Sequence, residues 1–275
     1  MTLVPILIYH SISGDPMALI RSLAVDEHTF ADHLDMVASR GLTSLTVSEF
    51  LAAADRADAK VLEQSVVITF DDGFADFASA ALPALQDRGL RATLFITTGL
   101  LRDGSAAPID GEIAQHMLAW PQLAELRALD VELGAHSHSH PHLDTLSRRH
   151  AREEIVRSKS LLEDALAAPV STFAYPHGYS SRRVRGLVRD AGFRGACAVK
   201  NAFSADDDDR FALSRLMVRA DTGPEEIGDW LDRRGAPITP RRDAPRTRAW
   251  RGYRRARALL TRRPGADPGW PQRRG

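Results

Sequence analysis

Apolar residues follow two alternating rhythms along this chain. Short runs rich in Val, Ile, Leu and aromatics occur at Leu3–Tyr9, Val66–Thr69, Ala92–Thr97, Val131–Ala135, Thr172–Tyr175, Gly195–Val199 and Leu213–Val218. They are nearly continuous, as strands buried on both faces are. Between them, apolar positions recur three and four apart. Residues 26–40 form one such stretch, with Asp26 as its cap and Phe30, Leu34 and Val37 on one face. Ser48–Ala54 starts another, capped by Ser48. Phe74–Arg88 follows, ending at Gly89 and kinked by Pro83. Pro121–Leu129, Arg148–Ala167 behind Ser147, Ser181–Ala191 before Gly192, and Glu225–Arg234 complete the helices. Residues 99–116 read as a surface connection. Strands alternating with helices predict an α/β fold of parallel strands joined by crossovers.

The chemistry collects where the predicted strands end. His10 closes the first strand, Asp71 and Asp72 follow Val66–Thr69, and His136 and His140 follow Val131–Ala135. In parallel α/β folds that edge is the functional face. One carboxylate and two imidazoles can hold a divalent metal and leave positions open for water, and a spare carboxylate beside them can take a proton from it. That is hydrolytic equipment. Two adjacent carboxylates rarely reach one ion together, so one of Asp71 and Asp72 goes to the metal and the other to the water. A turn after His136 brings His140 alongside it, leaving His138 and His142 peripheral. His10 is either a buried core histidine or a proton donor to a leaving amine. Tyr175-Pro176-His177-Gly178 is either a plain turn or a source of backbone N–H groups for an oxyanion, with His177 near substrate. Arg215, opening a predicted strand, is placed to orient the Asp71 carboxylate or to bind a sugar oxygen.

These fragments resemble the polysaccharide deacetylase superfamily, the NodB-homology domain of carbohydrate esterase family 4. Thr69-Phe70-Asp71-Asp72-Gly73 is similar to its first motif and His136-Ser137-His138-Ser139-His140 to its second. The resemblance implies that Asp71 is the general base and that Asp72, His136 and His140 bind the metal. Phe173-Ala174-Tyr175-Pro176-His177-Gly178 is similar to the third motif, with Ala174 where many members carry arginine and His177 where they carry tyrosine. No C-terminal Leu-x-Leu-His motif follows. Ile8-Tyr9-His10-Ser11 instead resembles the circularly rearranged branch that deacetylates exopolysaccharides such as poly-N-acetylglucosamine, which makes His10 the general acid. The implied fold is a distorted, incomplete (β/α) barrel. The implied cofactor is one divalent metal, zinc by donor type, with cobalt, nickel or iron also suited. The implied reaction removes N-acetyl groups from a glycan or glycan precursor. An O-acetyl ester, a non-sugar amide, or a silent glycan-binding domain are the alternatives.

Composition adds a division. The 275 residues are 44% apolar and 26% charged, and the formal net charge is zero. From Arg241 to Gly275, however, twelve arginines face two aspartates, a net +10, so residues 1–240 carry −10. We therefore expect a catalytic domain over residues 1–236 and an Arg/Pro-rich tail over 237–275, disordered or in part an amphipathic helix around Thr247–Leu260. Such a helix suits contact with an anionic membrane surface. No nucleic-acid motif accompanies the arginines. Cys197 is the only cysteine, no apolar run approaches the about 20 residues of a membrane span, and the N-terminus lacks signal-peptide features. A cytoplasmic location is the expectation.

Overall fold

The computed structural model describes residues 1–103, 113, 115–239 and 245–260. Most of the 99–116 connection and residues 240–244 and 261–275 lie outside them. Strands β1 (Leu3–Val4), β2 (Ile6–Tyr9), β3 (Ser11–Ile12) and β4 (Ala24–Val25) precede helix α1 (Glu27–Ser39). Then come β5 (Thr43–Leu45), α2 (Val47–Asp55), α3 (Ala59–Glu63) and β6 (Ser65–Phe70). A π-helical stretch, Phe77–Ala81, runs into α4 (Leu82–Gln86), followed by β7 (Thr93–Ile96), α5 (Trp120–Ala128) and β8 (Glu132–Ala135). Helix α6 (Arg148–Leu166), β9 (Thr172–Ala174), α7 (Arg182–Asp190), β10 (Gly195–Cys197), β11 (Ser204–Ala205), β12 (Leu216–Met217), α8 (Pro224–Leu231) and α9 (Pro245–Leu260) complete the chain.

Eight strands form one parallel sheet in the order β10-β9-β8-β7-β6-β2-β12. The eighth, β5, shares an edge of β6 with β7: Leu45 pairs with Val67, and two residues on Thr93 pairs with Thr69. The sheet curls until one segment bridges its ends. Leu213 pairs with Cys197, and three residues later Leu216 pairs with Leu7. The result is a distorted, incomplete (β/α) barrel, as the resemblance implies.

Period-two alternation divides its side chains. Ile6, Val67, Phe95, Ala174, Cys197 and Leu213 pack together inside, closed from below by Phe50 and Leu51 of α2 and Leu62 of α3. Leu7, Tyr9, Val66, Ile68, Phe70, Leu94, Phe173, Tyr175 and Leu216 point outward into the layer shared with the helices. Phe95 fills the interior because Gly134 leaves it room; a Cβ there would lie 2.5 Å from the Phe95 ring.

Several local expectations are revised. Pro5 divides the first predicted strand, and β1 pairs antiparallel with β11 while β2 joins the barrel. Thr46, not Ser48, caps α2, in a reciprocal capping box with Glu49. The predicted Phe74–Arg88 helix does not simply kink at Pro83. The helix instead widens just before it: the Leu82 N–H reaches the Phe77 carbonyl across a π turn, and the backbone runs on through Pro83 into α4. The body also runs past residue 236: Phe203 N–H donates to the Pro237 carbonyl and Thr239 N–H to the Phe203 carbonyl. Residues 245–260 are helical and dock on that body.

Candidate metal centre and active site

The interior face of the barrel continues upward into the candidate site. Asp71 extends the series Val67, Thr69; His136 follows Gly134; Arg215 follows Leu213. Asp71, Asp72, His136, His140, His10 and Arg215 are all buried. The structure therefore gathers six of the nine residues singled out above at one mouth.

Asp72, rather than Asp71, faces both imidazoles. Its Oδ1 lies 3.4 Å from His136 Nε2 and 3.3 Å from His140 Nε2. One ligand atom from each of the three residues lies within 4.8 Å of the others. His136 Nδ1 lies 2.8 Å from the Ala174 carbonyl, so it carries the proton and leaves the Nε2 lone pair aimed at Asp72. Burial holds both imidazoles below their ordinary range, in the neutral form that binds metal. Asp72 Oδ1 is buried and accepts no hydrogen bond, an expensive condition for a carboxylate. Burial, with the neighbouring Asp71 charge, pushes the Asp72 carboxyl up to about 6. A divalent cation would satisfy that oxygen and both nitrogens at once, so the donor set fits a metal.

The backbone is bent to achieve this. Asp72 has φ 76°, Ser137 62°, His140 60° and His177 58°, a conformation costing of order 1–3 kcal/mol per non-glycine residue. Two left-handed residues, not a helical turn, bring His140 beside His136. Glu154 of α6 holds that loop: its carboxylate accepts from the His138 and Ser139 N–H groups at 2.9 and 2.8 Å and from Ser139 Oγ at 2.7 Å. On the other side the Gly99 N–H donates to the His138 carbonyl, and a Cβ at Gly99 would come within 2.6 Å of that oxygen. Neither residue stood out in the sequence. Glu154 reads as one more charged position on a surface helix.

Arg215 is the largest fully buried side chain of the described residues. It grips Asp71 bidentately, Nη1 to Oδ1 at 2.6 Å and Nη2 to Oδ2 at 2.7 Å. Its Nε donates to the Ala198 carbonyl and Nη1 also to Thr69 Oγ1, each at 3.2 Å. Its guanidinium carbon lies 5.5 Å from the centre of the Phe95 ring. Of the two sequence alternatives, orientation of Asp71 is the arrangement observed. Burial opposes ionisation of Asp71, but Arg215 and His136 together hold its carboxyl below the usual range. Asp71 Oδ2 also lies 3.6 Å from His136 Nε2. His10 faces the same carboxylates. Burial lowers its pKa, Asp72 and Asp71 oppose that, and its Nδ1 has no hydrogen-bond partner.

The third-motif segment needs correction. Tyr175 is not at the mouth: its ring is wholly buried in the outer layer, its OH donates to the Phe211 carbonyl and its N–H to the Cys197 carbonyl. Alternation explains this, because Ala174 takes the inward position. Pro176 has no N–H, so of the three residues His177 keeps the candidate amide. The His177 ring packs 4.5 Å from that of His140 and 3.9 Å from that of His142; the residue is exposed, and desolvation by the groups crowding it, together with the His142 and His136 imidazoles, lowers its pKa.

Comparison with known proteins agrees with this geometry. The family model described as polysaccharide deacetylase matches residues 58–196. YxkH of Bacillus subtilis strain 168 is 25% identical over 228 residues, 83% of this chain and 76% of that protein. The Streptococcus pyogenes deacetylase PplD, solved in complex with acetate, has a TM-score of 0.72 at 23% identity, covering 82% of this chain and 96% of PplD. A de-N-acetylase from Aggregatibacter actinomycetemcomitans has a TM-score of 0.71 at 15% identity, covering 82% and 98%. At such identities these two structures speak for the shared fold. The segment matched to the family model spans just over half of the chain and includes Asp71, Asp72, His136 and His140, and the protein belongs to the polysaccharide deacetylase family.

Proposed function

We propose that this protein is a metal-dependent hydrolase that removes N-acetyl groups from an amino sugar in a polysaccharide or glycan precursor, releasing acetate. The observation that carries the reading is the buried Asp72–His136–His140 cluster with a second, separately held carboxylate, Asp71, beside it.

Asp72, His136 and His140 would hold the metal, with zinc favoured by the donor set. When bound, it supplies Lewis acidity toward water and the acetyl carbonyl. The remaining work falls to this chain. Asp71, kept ionised and fixed in direction by Arg215, takes the proton of the attacking water. The His177 amide is the candidate donor to the developing oxyanion. His10, at the end of the strand beside that of Asp71, delivers a proton to the departing nitrogen. That proton is what an amide requires and an ester does not, because an amine leaves as a neutral molecule only after protonation. A de-N-acetylase of the same fold in Aggregatibacter actinomycetemcomitans is consistent with the amide reading.

The test is acetate release from a panel of N-acetylated glycans, each beside an O-acetylated counterpart, with chelator and then with zinc restored. Release from the N-acetylated members, abolished by chelator and recovered with zinc, is the expected result. Release only from the esters would overturn the amide assignment. Asp72→Ala and His140→Ala should each lose zinc in a metal analysis of purified protein. Full occupancy in either variant would remove that residue from the ligand set.

A further inference from the structure

The arginine-rich C-terminal helix α9 is anchored at the rim of the proposed metal centre. Asp144 stands four residues beyond His140, and its side chain is wholly buried. Arg254 Nη1 and Nη2 donate to Asp144 Oδ1 and Oδ2 at 3.2 and 2.8 Å, and Arg255 Nε donates to the Asp144 carbonyl at 2.9 Å. Only 10% of the Arg254 side chain is exposed. Its guanidinium carbon lies 3.4 Å from the centre of the Tyr179 ring.

From that ring a packed series runs inward. Tyr179 is 5.7 Å from His142, His142 is 3.9 Å from His177, and His177 is 4.5 Å from His140, centre to centre. The same turn is held from α7, where Arg183 Nη2 donates to the Leu146 carbonyl at 3.0 Å. An exposed ion pair contributes little to any structure. A bidentate pair with one buried member fixes geometry as well as charge.

We propose that α9 is a constituent of the active centre and that Arg254 is a positioning residue, which fixes the turn from His140 to Leu146 and through it the direction of the His140 imidazole. The proposal rests on the reading of His140 as a metal ligand. Groups hydrogen-bonded directly to a metal's ligands typically tune its affinity by about 10–100-fold; Arg254 acts from further out, through Asp144 and the Tyr179–His142–His177 series, so the lower end of that range is its ceiling.

The test measures zinc affinity of the full-length chain by competition with a chromogenic chelator, alongside thermal unfolding of the metal-free protein. Arg254→Ala should raise the zinc Kd severalfold, up to about 10-fold, while unfolding stays cooperative. Arg254→Lys should fall between Ala and wild type, since a single ammonium replaces a planar fork. Asp144→Asn serves as the second probe of the same contact, and the Arg254→Ala/Asp144→Asn pair should bind zinc no more weakly than the worse single variant. Trp250→Ala/Tyr253→Ala, at two exposed positions of α9, should leave the zinc Kd unchanged. A zinc Kd within twofold of wild type in both Arg254→Ala and Asp144→Asn would overturn the proposal, as would an equal weakening by Trp250→Ala/Tyr253→Ala. If His140→Ala itself keeps wild-type zinc affinity, the underlying ligand assignment has failed instead.

Discussion

Asp71→Asn is expected to lower kcat for acetate release by at least about 10²-fold, the usual scale for removing a general base, while zinc stays bound. Separation of the two carboxylates makes the prediction specific. Asp72 Oδ1 faces both imidazole Nε2 atoms, whereas both Asp71 oxygens meet the Arg215 fork. Asparagine keeps the shape of Asp71 and one acceptor, but it removes the charge that balances a guanidinium with no exposed surface. Breaking a buried pair from one side costs roughly 3–5 kcal/mol, so the melting temperature should fall as well. The rate must then be read below the variant's own transition and at saturating zinc. A folded Asp71→Asn protein that hydrolyses at the wild-type rate would exclude Asp71 as the base. Loss of zinc together with the rate would place Asp71 among the ligands.

What was legible in the sequence follows from the range of the forces involved. Val66–Thr69 reads as a buried strand because both its faces are covered, and a strand of that kind delivers whatever follows it to the barrel mouth. Asp71 and Asp72 were therefore placed correctly from local pattern. So was the pairing of His136 with His140, although the route was not: a helical turn was expected, and two left-handed residues were found. Gly73 marked the sharp turn after Asp72, whereas Ser137 and His140 gave no sign of theirs. The strand Thr43–Leu45 escaped notice because it is three residues long and pairs over half of one edge of β6. Helix Ala59–Glu63, at five residues, is too short to show a period. Helix α9 could be read from Trp250, Tyr253, Leu259 and Leu260. Its docking could not, because the partner, Asp144, lies 110 residues upstream of Arg254. Tyr175 was misplaced for a different reason. The motif resemblance gave its position along the chain but not its parity across the sheet, and parity alone sends it outward.

The same parity governs the second large effect, at Arg215. Many relatives in the resemblance carry an arginine where this chain has Ala174, an inward position on β9. Here the guanidinium comes instead from the segment that closes the barrel, Leu213 to Met217, and it reaches Asp71 from the other side. Arg215→Met should therefore act on Asp71 through charge rather than through substrate. With the cation gone, burial is opposed only by the neighbouring His136 and His10 imidazoles, and the Asp71 carboxyl rises from its depressed position. A base works when ionised, so activity is retained above its pKa and lost as pH falls through it. The acid limb of the kcat/KM profile should move to higher pH in Arg215→Met. Folding stability follows the same sign: the contribution of the depressed Asp71 is present above its unfolded pKa and disappears as pH falls through the folded one. At neutral pH the variant should lose about 3–5 kcal/mol, since a buried carboxylate is left with a methionine in place of its partner. Arg215→Lys, which keeps the charge but not the fork, should shift the acid limb less. Asp71→Asn/Arg215→Met separates the two effects. Removing both charges should recover most of the stability lost by either single change, because neither is then stranded, whereas activity should stay as low as in Asp71→Asn alone. Additive losses of stability in the double variant would mean that the two side chains contribute independently, and an unmoved acid limb in Arg215→Met would mean that Asp71 does not depend on the guanidinium for its ionisation.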